Sequence, residues 1–261
     1  MSMEERTNPG NGMWFAAAGA LTAMAVLAFP SIGTIDGMLT AAATGSETAA
    51  GGGIGEAIRA SGGAFGAAVL TLMGIVVLDV IVAWGLWGVF RPMQPAAAAL
   101  AAALRITYSA VFAAAIGLLI DAQRLATGVG AAETLPEDVR DGLALQRLAE
   151  FDGIWSGALI IFGAHLAVVG WLLLRRGGAF AGVVGALVAI AAAGYVFDGA
   201  LPIIVPASEG GIAQFTFVGE VLLIAWLITG GVRSFRRARR ARRLEATAPT
   251  GPADAAARVS A

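Results

Sequence analysis

The sequence predicts an all-α integral membrane protein, a bundle of six transmembrane helices with N and C termini in the cytoplasm. Three observations predict it. Only 13% of the 261 residues are charged and 58% are hydrophobic, with a mean hydropathy of +0.79, whereas a soluble domain carries about 25% charged residues. Apolar runs recur along the chain, each of a length that crosses about 30 Å of hydrocarbon at roughly 1.5 Å per helical residue. The arginines concentrate on alternate sides of these runs, the pattern that orients multi-pass proteins.

The first apolar run covers 13–32. Arg6 precedes it as in a secretory signal, but the run is long and has no convincing cleavage site, so a retained helix is expected. A Gly/Ala/Thr-rich loop follows, carrying Asp36, Glu47, Glu56 and Arg59. The second span covers 63–90 and stops at Arg91-Pro92, where charge and proline coincide. After Pro95 the third covers 96–120. Asp121, Gln123 and Arg124 open a longer polar segment, in which Thr134 and Glu137 have the spacing of a capping box. Residues 136–150 mix charges with Val139, Leu143 and Leu148, the pattern of a short amphipathic helix on the interface or of a structured loop. The fourth span (153–174) is closed by Arg175-Arg176-Gly177-Gly178, the fifth (179–200) ends before Pro202 and Pro206, and the sixth covers 212–232. The membrane domain is thus 13–232, after a cytoplasmic N-terminus (1–12). A tail (233–261) is basic at first and low in complexity from Ala246, a composition expected to be disordered.

With the termini inside, the inner side receives Arg6, Arg91, Arg175, Arg176 and the arginines from Arg233 to Arg243, while acids outnumber Arg59, Arg124, Arg140 and Arg147 outside. The expected location is the cytoplasmic membrane. All 17 basic residues are arginine, a bias that fits a GC-rich bacterial genome. Directly after a membrane span, Arg236, Arg237, Arg239 and Arg240 read as a stretch that meets lipid headgroups and not nucleic acid. Small residues four apart (Gly62 and Gly66, Gly153 and Gly157, Gly178 and Gly182) suit close helix packing within the chain or, alternatively, an oligomer seam.

Ionisable groups at membrane depth are costly and each needs a reason. Asp79 lies 12 residues before Arg91, Arg105 10 after Pro95, His165 10 before Arg175 and Glu220 13 before Arg233. All four fall roughly 15–20 Å from the inner boundary. Asp79 and Arg105 sit on consecutive antiparallel spans and are expected to pair, with Tyr108 and Ser109 one turn along to share hydrogen bonds. A second polar group gathers near the outer boundary: Asp121, Asp152 and Asp198, with Trp155 and Tyr195, as the mouth of a cavity or as ordinary interfacial residues.

Several chemistries fail on composition. There is no cysteine and a single histidine, which excludes thiolate sites and bis-histidine haem, and leaves a zinc site short of its usual ligands. Ser156 shares a helix with His165 and Ser109 lacks a nucleophile motif; no phosphate-binding loop of the Walker type occurs. No metal and no cofactor are expected.

The stretches Leu78-Asp79-Val80, Val89-Phe90-Arg91-Pro92-Met93, Ala103-Leu104-Arg105-Ile106, Phe162-Gly163-Ala164-His165-Leu166 with Gly170-Trp171-Leu172, Gly194-Tyr195-Val196-Phe197-Asp198 and Gly219-Glu220 before Trp226-Leu227, in this order and spacing, resemble the bacterial membrane family called domain of unknown function 4386. The resemblance implies a six-helix membrane protein and falls on Asp79, Arg105, His165, Asp198 and Glu220; it implies no activity. The leading expectation is a small molecule or lipid held in a cavity floored by Asp79, Arg105, His165 and Glu220, with movement of that ligand or of a proton. Two alternatives stay open: a structural or regulatory module whose polar layer specifies packing, and an intramembrane enzyme acting on a lipid or isoprenoid.

Overall fold

A computed structural model describes residues 9–44, 53–205, 211–212 and 218–247. The expected outer loop around 44–53 lies largely outside these residues, as do the first turn of the expected sixth span and the tail beyond Thr247. The described chain is helical, with no strand. Its helices are α1 (Pro9–Thr44), α2 (Ile54–Ala60), α3 (Ala64–Phe90), α4 (Pro95–Thr127), α5 (Glu137–Arg176), α6 (Ala179–Ile204) and α7 (Val218–Thr247), with a 3₁₀ turn at Gly130–Thr134. Six of them, all but α2, are long and apolar enough to cross a membrane, so the chain is a multi-pass membrane protein.

The six long helices pack in a ring. Each touches its neighbours in the chain, α1 on α3, then α4, α5, α6 and α7, and α7 returns to α1. Trp14 near the start of α1 lies 5.0 Å from Trp226 of α7, which stacks at 5.7 Å on Phe90 at the end of α3. The start of α1 and the arginines of α7 therefore share one end of the bundle.

Helix α7 runs past its expected span at the arginine-rich end, and three others do so at the opposite end. At 36, 33 and 40 residues, α1, α4 and α5 measure roughly 50–60 Å and overrun the bilayer at the other end, where α2 packs among them. The amphipathic stretch at 136–150 is helical, but not as a separate element: Ala144, Leu148 and Phe151 form a buried stripe continuous with the span that follows. The Thr134–Glu137 capping box does not form. Pro136 is the N-cap of α5 and Thr134 Oγ1 bonds Ala131, while the Glu137 carboxylate pairs with Arg59 at 2.7 Å. Helix α1 likewise runs through the segment expected to be loop at Asp36, with Pro30 inside it. At the end of α4, Gly128 adopts φ 67° and the N–H groups of Gly128 and Val129 bond the carbonyls of Leu125 and Arg124. This is a Schellman stop, which favours glycine because its φ is positive.

Arg59 fastens α2 to the overhang. It bonds the Ala126 carbonyl at 2.8 Å and forks onto Asp141 at 3.0 and 3.3 Å. The Asp141 hydrogen bond holds its guanidinium still further above the usual range, so it stays charged. Helices α5 and α6 approach closely, so that a methyl group on Gly170 would meet the Gly185 carbonyl oxygen at 2.9 Å. Gly66 faces Gln123 within the chain, whereas Gly153, Gly157 and Gly182 face open space.

Candidate functional site: a buried arginine with three helices around it

Arg105 projects from α4 into the middle of the ring and is 1% exposed; Asp79 on α3 and His165 on α5 are both at 0%. Arg105 Nη2 lies 2.5 Å from Asp79 Oδ1, and Nη1 lies 3.2 Å from His165 Nε2. The other ring nitrogen, Nδ1, is 2.8 Å from the carbonyl of Ala101. Arginine only donates, so Nε2 must accept. The proton is then on Nδ1, which donates to Ala101, and the imidazole is neutral. With both nitrogens engaged, His165 has no site left for a metal or for proton transfer in this arrangement. Among the described residues no three His, Asp or Glu side chains are grouped to hold a metal ion.

The ion pair is incompletely satisfied. The approach of Arg105 to Asp79 is short but oblique, and both Asp79 oxygens and Arg105 Nε are buried with no hydrogen-bond partner among the described residues. Ser109, one turn along, donates its hydroxyl to the Arg105 carbonyl at 2.8 Å. Met24 of α1 completes the surround, its sulfur 3.8 Å from Nη2.

Phe162, one turn before His165, is the floor of the site. The Arg105 guanidinium lies 5.4 Å from its ring centroid, within cation–π range. Tyr108 (4.9 Å), Tyr195 (5.0 Å, edge-on) and His165 (5.9 Å) pack on the same ring. Tyr108 continues outward through Phe112 to Trp155 and Phe151 as a line of rings with centroids 5.8–6.0 Å apart. Phe112, Phe151 and Trp155 line a crevice with Asp36, whose free volume is about 10 Å³, scarcely one water molecule.

Glu220 does not touch Arg105. It accepts a 2.7 Å hydrogen bond from the Tyr195 hydroxyl, and the Tyr195 ring packs on Phe162, the ring that faces the arginine. Tyr195, grouped with the outer residues by sequence, thus faces the interior. Of the other outer residues, Asp121 and Asp152 are exposed on α4 and α5, while Asp198 is buried and accepts the Ile212 N–H at 3.1 Å. Arg236, Arg237, Arg239 and Arg240 lie along α7 beyond the apolar part of the helix.

Sequence reasoning missed Phe162, Met24 and the Ala101 carbonyl. The first had a signal, since a residue three before His165 shares its helix face. Ala101 is four before Arg105 for the same reason, but a backbone acceptor leaves no mark in composition.

No solved structure matches the chain. It is similar to an uncharacterized protein of Archaeoglobus fulgidus, with 31% identity over 157 residues that cover 60% of this chain and 79% of the relative. The model of the family described as "Domain of unknown function (DUF4386)" matches residues 17–231, and the chain belongs to that family.

Proposed function

We propose that the bundle binds a small polar molecule or a lipid headgroup at the Asp79–Arg105–His165 cluster. The supporting observation is the set of orphaned polar atoms, both oxygens of Asp79 and Nε of Arg105, at the middle of a six-helix ring. A buried donor or acceptor without a partner costs about 1–3 kcal/mol, more when charged, and a guest with two donors and one acceptor relieves all three. Entry requires movement of the rings between the outer crevice and Phe162. The test is mass spectrometry of molecules that co-purify with the detergent-solubilised protein, comparing wild type with Asp79→Asn and Arg105→Gln variants that retain a cooperative melt. A defined compound present in wild type and lost in both variants supports the reading. Bulk phospholipid alone, equal in all three, overturns it.

A second reading has its own observation. The three side chains are essentially inaccessible, and none of the three concavities described in this structure is lined by them. In a structural or regulatory module the cluster specifies how α3, α4 and α5 dock. Exchanging the charges in Asp79→Arg/Arg105→Asp then restores the melting temperature that either single change lowers, and no ligand is lost.

A further inference from the structure

The arginine-rich end of the bundle carries a feature independent of the central cluster. Helix α7 does not stop with its apolar part but continues to Thr247. Arg233, Arg236, Arg237 and Arg240 fall 3, 4 and 7 residues from the first, which is one stripe of a helix. With Arg239 and Arg243 they border a basic concavity of about 380 Å³. Arg233, Arg236, Arg237 and Arg240 pair with no carboxylate among the described residues.

A further cation arrives from another helix. Arg176, in the last turn of α5, lies over Trp14 of α1 at 4.9 Å and over Trp226 of α7 at 5.3 Å, and it is near enough to Arg237 for the two charges to repel. The same motif recurs around this end, with Arg91 over Trp87 at 4.6 Å and Arg175 over Trp171 at 5.2 Å. Tryptophans with arginines above them mark the level where hydrocarbon gives way to headgroups. Like charges are thus concentrated at headgroup depth, and Arg233, Arg236, Arg237 and Arg240 have no ion pair to offset them among the described residues.

Below that level the α1–α7 seam is apolar. Helix α7 crosses α1 at Gly230 and Gly231, where a methyl group on Gly231 would sit 3.0 Å from the Phe15 ring. From Phe15 a groove of about 610 Å³ runs along α1 past Ala18, Gly19, Thr22 and Val26, with Ile228 of α7 on its side. Thr22 turns its hydroxyl back to the Ala18 carbonyl at 2.8 Å, which leaves its methyl for the groove. The groove reaches α7 at Ile228, and the basic concavity begins at Arg233, five residues or roughly 7.5 Å further along the same helix, in the order of an acyl chain and its phosphate.

We propose that this seam is a binding site for one anionic phospholipid, with its phosphate among Arg233, Arg236 and Arg237 and an acyl chain in the α1 groove. A zwitterionic lipid has no net charge to answer these cations. A nucleic acid would use the arginines but neither the groove nor Arg176, which is held at bilayer level by its two tryptophans.

Native mass spectrometry of the full-length protein in detergent, titrated with phosphatidic acid, phosphatidylglycerol and phosphatidylcholine of equal chain length, tests this. The expected result is a one-to-one adduct with the two anionic lipids, and none with phosphatidylcholine at the same concentration. Arg237→Gln leaves the Arg176 stack untouched and should weaken the adduct about fivefold, with Arg236→Gln compounding the loss. Gly19→Trp fills the groove from its open side and should weaken binding of long-chain lipid while sparing glycerol 3-phosphate. On the wild-type protein, raising the salt should weaken the adduct, a readout that needs no variant to fold. Equal retention of phosphatidylcholine overturns the proposal, as does an adduct unchanged in the Arg236/Arg237 double variant. Full displacement by inorganic phosphate would show a site for free phosphate instead, and preference for an oligonucleotide over either anionic lipid would show a nucleic-acid arm.

Discussion

Arg59 and Arg105 each meet a carboxylate from another helix, under opposite conditions. Arg59, 30% exposed at the side chain, is the better satisfied: a fork onto Asp141, a second acid in Glu137 and the Ala126 carbonyl. Arg105, at 1%, has a single oblique contact with Asp79, a neutral histidine and an aromatic face. Geometry alone would rank the first pair as stronger. The surroundings reverse that order, because water offers Arg59 nearly equal partners when its ion pairs break, whereas Arg105 has no alternative and an unpaired charge at its depth is costly. The number of contacts does not measure what a contact is worth.

The largest expected effect follows from removing one side of the buried pair. Asp79→Ala leaves Arg105 charged and uncompensated, and should destabilise the bundle by about 3–5 kcal/mol, measured as a fall in the melting temperature of the detergent-solubilised protein. A fall no greater than that of Arg59→Gln would remove the distinction between the two sites. His165→Ala comes next. It takes the acceptor from Nη1 but leaves the ion pair, so a loss of about 1–3 kcal/mol is expected. Replacement by glutamine, whose carbonyl can accept, should recover part of it, and an equal loss for both variants would mean that packing rather than the hydrogen bond is at stake. Smaller again is Tyr195→Phe, at about 1 kcal/mol. Because Tyr195 and Glu220 share one hydrogen bond, Tyr195→Phe and Glu220→Gln should be non-additive in a double-mutant cycle. Simple additivity would mean that the 2.7 Å contact carries no stability.

The six-helix bundle was legible because the bilayer requires long apolar runs and leaves few alternatives. The meeting of Asp79, Arg105 and His165 was legible for a related reason: three costly groups at one depth on neighbouring helices must face one another. Glu220 lies at a similar depth but on α7, which packs mainly against α6 and α1 in the ring, and depth counting carries no information on angular position. Tyr195 was misgrouped through its nearness in sequence to Asp198, although three residues along α6 separate an interior hydroxyl from a carboxylate that caps the following chain. Helix ends were least legible. A hydropathy window ends where charges begin, yet α5 continues through those charges at its N-terminal end because Leu148 and Ala144 keep the same buried stripe.

The smallest effect expected, and the sharpest use of the comparison, is at Arg59 itself. Arg59→Gln removes every ion pair that fastens α2, yet the group is partly exposed, and such pairs contribute at most about 1 kcal/mol. The melting temperature of the bundle should hardly change, while α2 should loosen from the Asp141 side of α5. Hydrogen exchange across Ile54–Ala60 reports that directly, because local opening need not involve the rest of the fold. High salt should reproduce the loosening in the wild-type protein, since the Debye length shrinks to about 3 Å at 1 M, and should leave the Asp79–Arg105 pair unaffected. If salt instead lowered the global melting temperature as much as Asp79→Ala does, the exposed clasp would be part of the membrane core's cooperative unit, and the two arginines would be doing the same work.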